Sequence, residues 1–168
     1  MRSRALKRAQ GELHARLLRE VSPSGFERTA RALGFWPRDR TSLEDEERRP
    51  FEDFAIYELR EGGLNAPERL LQHHDLTPAQ RTVLEAMVRA RLAVLEIDEV
   101  QPDVGLHGRD MLREERWWVA DPSLCRLTAV GDLMATRLLT FGDFALTTGG
   151  ELRFDRSLAP AILQLCGV

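Results

Sequence analysis

Between Gly105 and Leu124 the chain reads GLHGRDMLREERWWVADPSL. His107 and Asp110 stand three residues apart, and a histidine oriented by a carboxylate is a common apparatus of general acid–base catalysis. Trp117 and Trp118 are adjacent, with Arg113 and Arg116 beside them; an exposed indole flanked by guanidinium groups can stack a base or a partner's side chain. The backbone decides between these chemistries. On a strand, residues 107 and 109 share one face and residue 110 points to the other, so His107 and Asp110 meet only if Gly108 makes a bulge. The local alternation predicts strand. Arg109 and Asp110 are then a strand-end pair that fixes a turn or contacts Asp132 or Arg137, and no catalytic residue is assigned. Of the tryptophans, one is expected in the core and the other outside it or under a helical layer.

The other reactive side chains give little. His73-His74-Asp75 is the one dense run of metal-type ligands. Adjacent histidines at a helix end diverge, whereas zinc needs three or four donors converging at about 2 Å, so no metal is expected. Cys125 and Cys166 lack the paired spacing of a zinc site and are too few for a stapled secreted domain, which fits two thiols in a reducing cytoplasm. Phosphate-loop glycines and a nucleophile elbow are missing. Lys7 is the only lysine, so no acidic-x-Lys nuclease strand exists. No cofactor is expected.

Charge is distributed unevenly. Residues 1–40 hold ten Lys or Arg against four Asp or Glu, while residues 41–168 hold fourteen against twenty-three. Arg4, Lys7, Arg8 and Arg19 lie on the polar side of the first predicted helix, where they could meet phosphates or an acidic protein surface. No apolar run reaches the roughly 18 residues that cross a bilayer, and the basic start MRSRALKRAQGEL lacks a secretory apolar core. The expectation is a cytoplasmic protein with no membrane contact.

The elements that must position these residues fall into two kinds. Leu6, Ala9, Leu13, Leu17 and Val21 recur at helical steps, and SPSG at 22–25 is expected to break that helix. FERTARALGF predicts a second short helix, followed by a loop over 35–42. Thr41-Ser-Leu-Glu44 has the form of a capping box, Pro50 is expected to begin a fresh helix, and Gly62-Gly63 to end it. Asn65 and Thr77 are expected to cap two more, the last running to Arg91. From LAVLEIDEV onward the period changes to two, giving five or six short strands before a closing helix at Ser157-Leu-Ala-Pro160. The resulting class is α+β: a helical N-terminal half packed on a small antiparallel β-barrel-like half. Its boundaries are 1–90 (helical), 91–155 (barrel-like) and 156–168 (closing helix), together one compact unit.

The order of motifs adds a resemblance. Phe51-Glu-Asp-Phe54, Pro67-Glu-Arg-Leu-Leu71, LAVLEIDEV, Arg109-Asp110-Met111, ERWWVAD and Gly131-Asp132-Leu133-Met134-Ala-Thr-Arg137-Leu138 follow one another over residues 50–148. This resembles the helical-plus-small-β region of poorly characterised bacterial proteins, some of which carry a SEC-C zinc motif as an appendage. The SEC-C ligands are absent here, so the resemblance implies a fold and a bacterial origin rather than an activity. The expected function is a non-catalytic binding or adaptor protein working through protein–protein contacts. Its binding residues would be Arg109, Arg113, Arg116, Trp117, Trp118 and Arg137. A nucleic-acid-binding protein using the basic helix and the tryptophan face is the alternative, and a metal-dependent hydrolase or nuclease comes third.

Overall fold

A computed structural model describes residues 2–37, 42–73 and 75–167. The chain forms two compact units, Met1–Arg89 and Ala90–Val168. The first contains α1 (Arg2–Glu20), α2 (Pro23–Ala32), α3 (Asp45–Tyr57), α4 (Ala66–Leu70) and α5 (Pro78–Val88). Helix α1 packs on α4 and α5, and α3 packs on α2. The stripe Leu6, Ala9, Leu13 and Leu17 is buried, because steps of three and four keep these residues on one side of a 3.6-residue turn. A second cluster surrounds Phe51, whose ring stacks on Phe26 at 6.2 Å and is flanked by Phe35, with Ala30 and Leu43 completing it.

Local chemistry explains where the helices begin. Asn65 accepts from the Glu68 amide and Thr77 from the Gln80 amide, each reciprocated by the later side chain. Four readings of the sequence need correction here. SPSG breaks α1 as expected, but α2 starts within it rather than at Phe26: Ser22 caps α2 by accepting from the Gly25 amide, and Pro23 occupies the first turn, where its missing N–H costs nothing. Helix α3 runs through Pro50 unbroken, started five residues earlier by a Glu44/Glu47 capping box and anchored by buried Phe51. It stops at Tyr57, so Gly62-Gly63 turn the chain between Glu61 and Leu64 rather than end the helix. Arg91 belongs to the first strand and not to α5. Thr41, the first residue of the expected capping box, lies outside the described residues.

One carboxylate holds the turns of this unit together. Glu61 accepts from the Ser22 amide and hydroxyl, from Arg28 and from Arg69, and Arg69 also donates to the Glu20 and Leu64 carbonyls. Burial pushes the Glu61 carboxyl up, but the Ser22 hydrogen bonds and the Arg69 and Arg28 charges outweigh it and hold it below the ordinary 4.5.

The second unit is a closed barrel. Its strands are β1 (Arg91–Gln101), β2 (Gly105–Asp110), β3 (Glu115–Val119), β4 (Leu133–Thr140), β5 (Ala145–Thr147) and β6 (Leu152–Phe154). They run in the order β1-β2-β3-β5-β4-β6, and β1 pairs with β4 to close a five-stranded ring. All pairs are antiparallel except β3–β5, where Val119 lies beside Ala145. Strand β1 serves two partners: Arg91–Glu96 face β4, Leu95–Gln101 face β2, and a register shift between Ile97 and Glu99 divides them. Ala93, Leu95, Ile97, Leu106, Val119, Met134 and Leu138 fill the interior. After β3 a short helix, α6 (Pro122–Cys125), is capped by Asp121. A 3-10 turn (Arg156–Leu158) and α7 (Ala159–Leu165) close the chain. No helix among the described residues is long and apolar enough to cross a membrane.

Two of the motifs behind the resemblance, Arg109-Asp110 and Gly131-Asp132, are structural pins. Asp110 is fully buried and accepts from the Val94 and Leu112 amides and from Arg113, which ties β1 to the β2–β3 turn. Of the two roles expected for it, fixing a turn or contacting Asp132 or Arg137, these bonds carry the first. At Gly131-Asp132 the glycine takes φ +89°, open to it because it has no Cβ. Its amide donates to the Ile97 carbonyl, while the Asp132 side chain accepts from the Ala129 amide.

Candidate binding face

The register of β2 with β3 pairs His107 with Trp118, Gly108 with Trp117, and Arg109 with Arg116. Leu106 and Val119 point inward, so parity sends Trp117 toward the core, against which it packs, and Trp118 outward. Trp117 donates from its indole nitrogen to Glu115 at 3.2 Å, and the Arg91 guanidinium stands 5.4 Å from its ring while pairing with Glu115. Trp117 thus packs against the barrel core while remaining partly exposed.

Trp118 is partly exposed, and its ring lies 4.7 Å from that of His107 at a 51° tilt. Its six-membered ring also covers Gly105. A Cβ there would come within 2.6 Å of the indole and 2.5 Å of the Val119 carbonyl oxygen, so this approach requires glycine. The indole is thus held in place from below by backbone and from the side by imidazole. His107 and Asp110 stand on opposite faces of β2, one partly exposed and one sealed inside.

The arginines around the rings are already engaged. Arg109 donates to Glu96, which also accepts from Arg156, and these bonds, Arg156's first, hold the Glu96 carboxyl below the ordinary 4.5. The same contact raises Arg109 above its usual range. Arg116 is 77% exposed and reaches Asp98 only at 4.0 Å. Arg113 is bound to Asp110 and to the Leu92 carbonyl. Arg137 is buried in β4, away from solvent. Of the six predicted binding residues, Arg109, Arg116 and Trp118 share one outer surface, while Trp117 packs partly exposed against the core and Arg137 is buried. Sequence reasoning did not find Glu96, Asp98 and Glu99 as members of this face. The signal was the acidic residues within the otherwise apolar LAVLEIDEV strand.

Depressed carboxylates imply a pH dependence. Glu61 and Glu96 favour the folded state above the ordinary glutamate range, and that contribution is lost as pH falls through their lowered folded values. Urea midpoints are expected to drop between about pH 6 and about pH 3.5, with a shallower drop in Glu96→Gln. An unchanged slope in that variant would show that the two arginines do not stabilise the folded carboxylate.

The basic helix is elsewhere, in the first unit. Arg4, Arg8 and Arg19 are exposed and Lys7 is partly covered, but Arg8 is paired with Glu12 at 3.0 Å. Near its end a cleft of about 440 Å³ is lined by Arg16, Arg19, Glu20, Leu70, His73 and Asp75. Arg16 holds Asp75 through two contacts, at 2.9 and 3.0 Å, and His73 is 3.6 Å from Glu20, so its charges are largely paired within it. His74 lies outside the described residues. Among the described residues no three His, Cys, Asp or Glu side chains converge as a metal site. Cys125 is buried, with its thiol against the Asp121 carbonyl; burial and then the Asp121 charge push it up, away from thiolate chemistry.

A family model matches the chain from residue 2 to residue 166, across both units. The chain belongs to DUF7986, a family of unknown function. The match supports an uncharacterised family and does not extend to the SEC-C-associated region. No curated protein and no solved structure matches the chain. What a DUF7986 chain of this kind can do has therefore to be argued from its own surface.

Proposed function

We propose that the protein is a non-catalytic binding module that holds another protein on the outer face of β1, β2 and β3. The observation that carries this reading is the ring pair His107–Trp118, partly exposed and fixed over Gly105. A rigid, half-buried tryptophan bordered by arginine–carboxylate pairs has the make-up of an interface hot spot, where Trp and Arg dominate the energetics. Five-stranded Greek-key barrels also use the face of their second and third strands, with the loop after the first, to bind oligonucleotides and oligosaccharides. That is an analogy of fold, and it says where to look rather than what binds.

Charge favours protein over nucleic acid. The barrel unit, residues 90–168, carries eight Lys or Arg against twelve Asp or Glu, and Arg109 and Arg116 are met by Glu96 and Asp98. Phosphate binding draws on free cations. The burial of Asp110 speaks for binding over the hydrolase reading, which counted it among its acids. The same proposal places the protein in a bacterial cytoplasm and keeps its likeness to the SEC-C-associated region as a kinship of fold.

The test is a comparison of proteins captured from the source cells by the wild type and by Trp118→Ala. One set of partners should be enriched by the wild type and lost, roughly tenfold or more, with the variant. Identical capture by both would sink this reading, as would retention of an oligo-dT strand at low salt that depends on Trp118.

A further inference from the structure

We infer that the partner of this face presents an extended basic segment, with two cationic side chains three residues apart. The inference rests on the binding reading above and adds the chemistry of the occupant. Glu99, His107 and Trp118 form one row across β1, β2 and β3. The cations of the neighbouring row are engaged, Arg109 by Glu96 and Arg116 loosely by Asp98. Glu99 is exposed and, among the described residues, accepts only from the Gln101 amide at 3.1 Å, with no cation beside it. The row thus offers a carboxylate lacking a counter-charge at one end and an indole at the other, on a unit with an excess of acids.

Each end takes the same chemistry. A guanidinium or ammonium over the Trp118 ring is attracted by its π face, and a second cation pairs with Glu99. Neighbouring strands lie about 4.8 Å apart, so residues two strands apart are separated by roughly 10 Å. In a polyproline II segment, residues i and i+3 share a side and stand about 9.3 Å apart. An Arg-x-x-Arg segment laid across the strands therefore places one cation at each end, with its middle over His107. An acidic segment would meet Glu99 with no counter-charge to offer it, so the row favours basic over acidic segments.

The test titrates the full chain into a fluorescein-labelled Pro-Arg-Pro-Pro-Arg-Pro peptide and follows anisotropy at low salt. Saturable binding is expected. It should be weakened roughly fivefold or more by Trp118→Ala and severalfold by Glu99→Gln, but largely kept by Trp118→Phe, which retains an aromatic face. The glutamate counterpart of the peptide should not bind. The Trp118 indole N–H signal, assigned through Trp118→Phe, should move during the titration. No binding by the wild type, or equal binding by Trp118→Ala, overturns the inference. If cellular partners still depend on Trp118 while the basic peptide fails, the binding face stands and its basic occupant is wrong. If neither depends on Trp118, both fall.

Discussion

Replacing Asp110 by alanine is expected to destabilise the barrel by about 2–5 kcal/mol, a large fraction of a small protein's stability. Oδ1 of this side chain accepts from the Val94 amide at 3.3 Å and the Leu112 amide at 3.1 Å, and Oδ2 accepts from Arg113 at 3.0 Å. Alanine leaves these donors facing the space the carboxylate occupied, and the buried Val94 amide has no water to turn to. Asparagine is a sharper probe. It can keep a carbonyl oxygen where Oδ1 stands but turns an NH2 donor toward the Arg113 N–H, so it should cost less than alanine, about 1.5–3 kcal/mol. Urea denaturation, read beside hydrogen exchange at Val94 and Leu112, checks both. Equal stability of Asp110→Ala and the wild type would mean that the Arg-Asp motif is not the pin described here.

The second large effect belongs to the helical unit. Phe51→Ala is expected to cost about 3–5 kcal/mol, the usual range for truncating a fully buried phenylalanine. Its ring is completely covered and touches Phe26 and Phe35, each at 6.2 Å between centroids, so the cavity would open at the centre of an aromatic cluster. Phe51→Leu refills much of that volume and should recover more than half of the loss. Loss of amide protection would concentrate in α2 and α3, which carry the cluster. An Asp110 variant should instead loosen β1 and β2. Indistinguishable exchange patterns for the two variants would contradict this division of roles.

How much of this was readable beforehand depends on the range of the interaction. Capping at Asn65 and Thr77 lies within four residues and is written locally, as is the period-2 alternation that puts Leu95 and Ile97 inward. The start of α2 was set too late because Ser-Pro both ends one helix and caps the next, and the cap shows only in the Gly25 amide bond. Pro50 was misread because a proline penalty of about 3 kcal/mol can be outweighed by a good cap and the burial of Phe51. The closure of β1 on β4 and the parallel approach of β3 to β5 join residues far apart in sequence, and no local period encodes them.

The candidate site shows the same division. Adjacency of Trp117 and Trp118 implies that they point to opposite faces, but which one is outward follows only from the pairing of Gly108 with Trp117 and His107 with Trp118. Arg137 looked like a surface cation in a polar motif and is buried in β4. Glu96 seemed an ordinary polar position of a strand, yet it gathers Arg109 and Arg156 from 13 and 60 residues away. Ion pairs at such separations leave no mark on the sequence except an acid in an apolar run.

The central claim is that partners are held on the outer face of β1 to β3. A photo-crosslinking side chain placed at position 116, beside Trp118, tests it most directly, with the same group at position 19 of α1 as the comparison. Crosslinked partners from the source cells should appear from position 116 and fade when Trp118→Ala is added. Crosslinks from position 19 alone would contradict the account and move the binding surface to the basic helix.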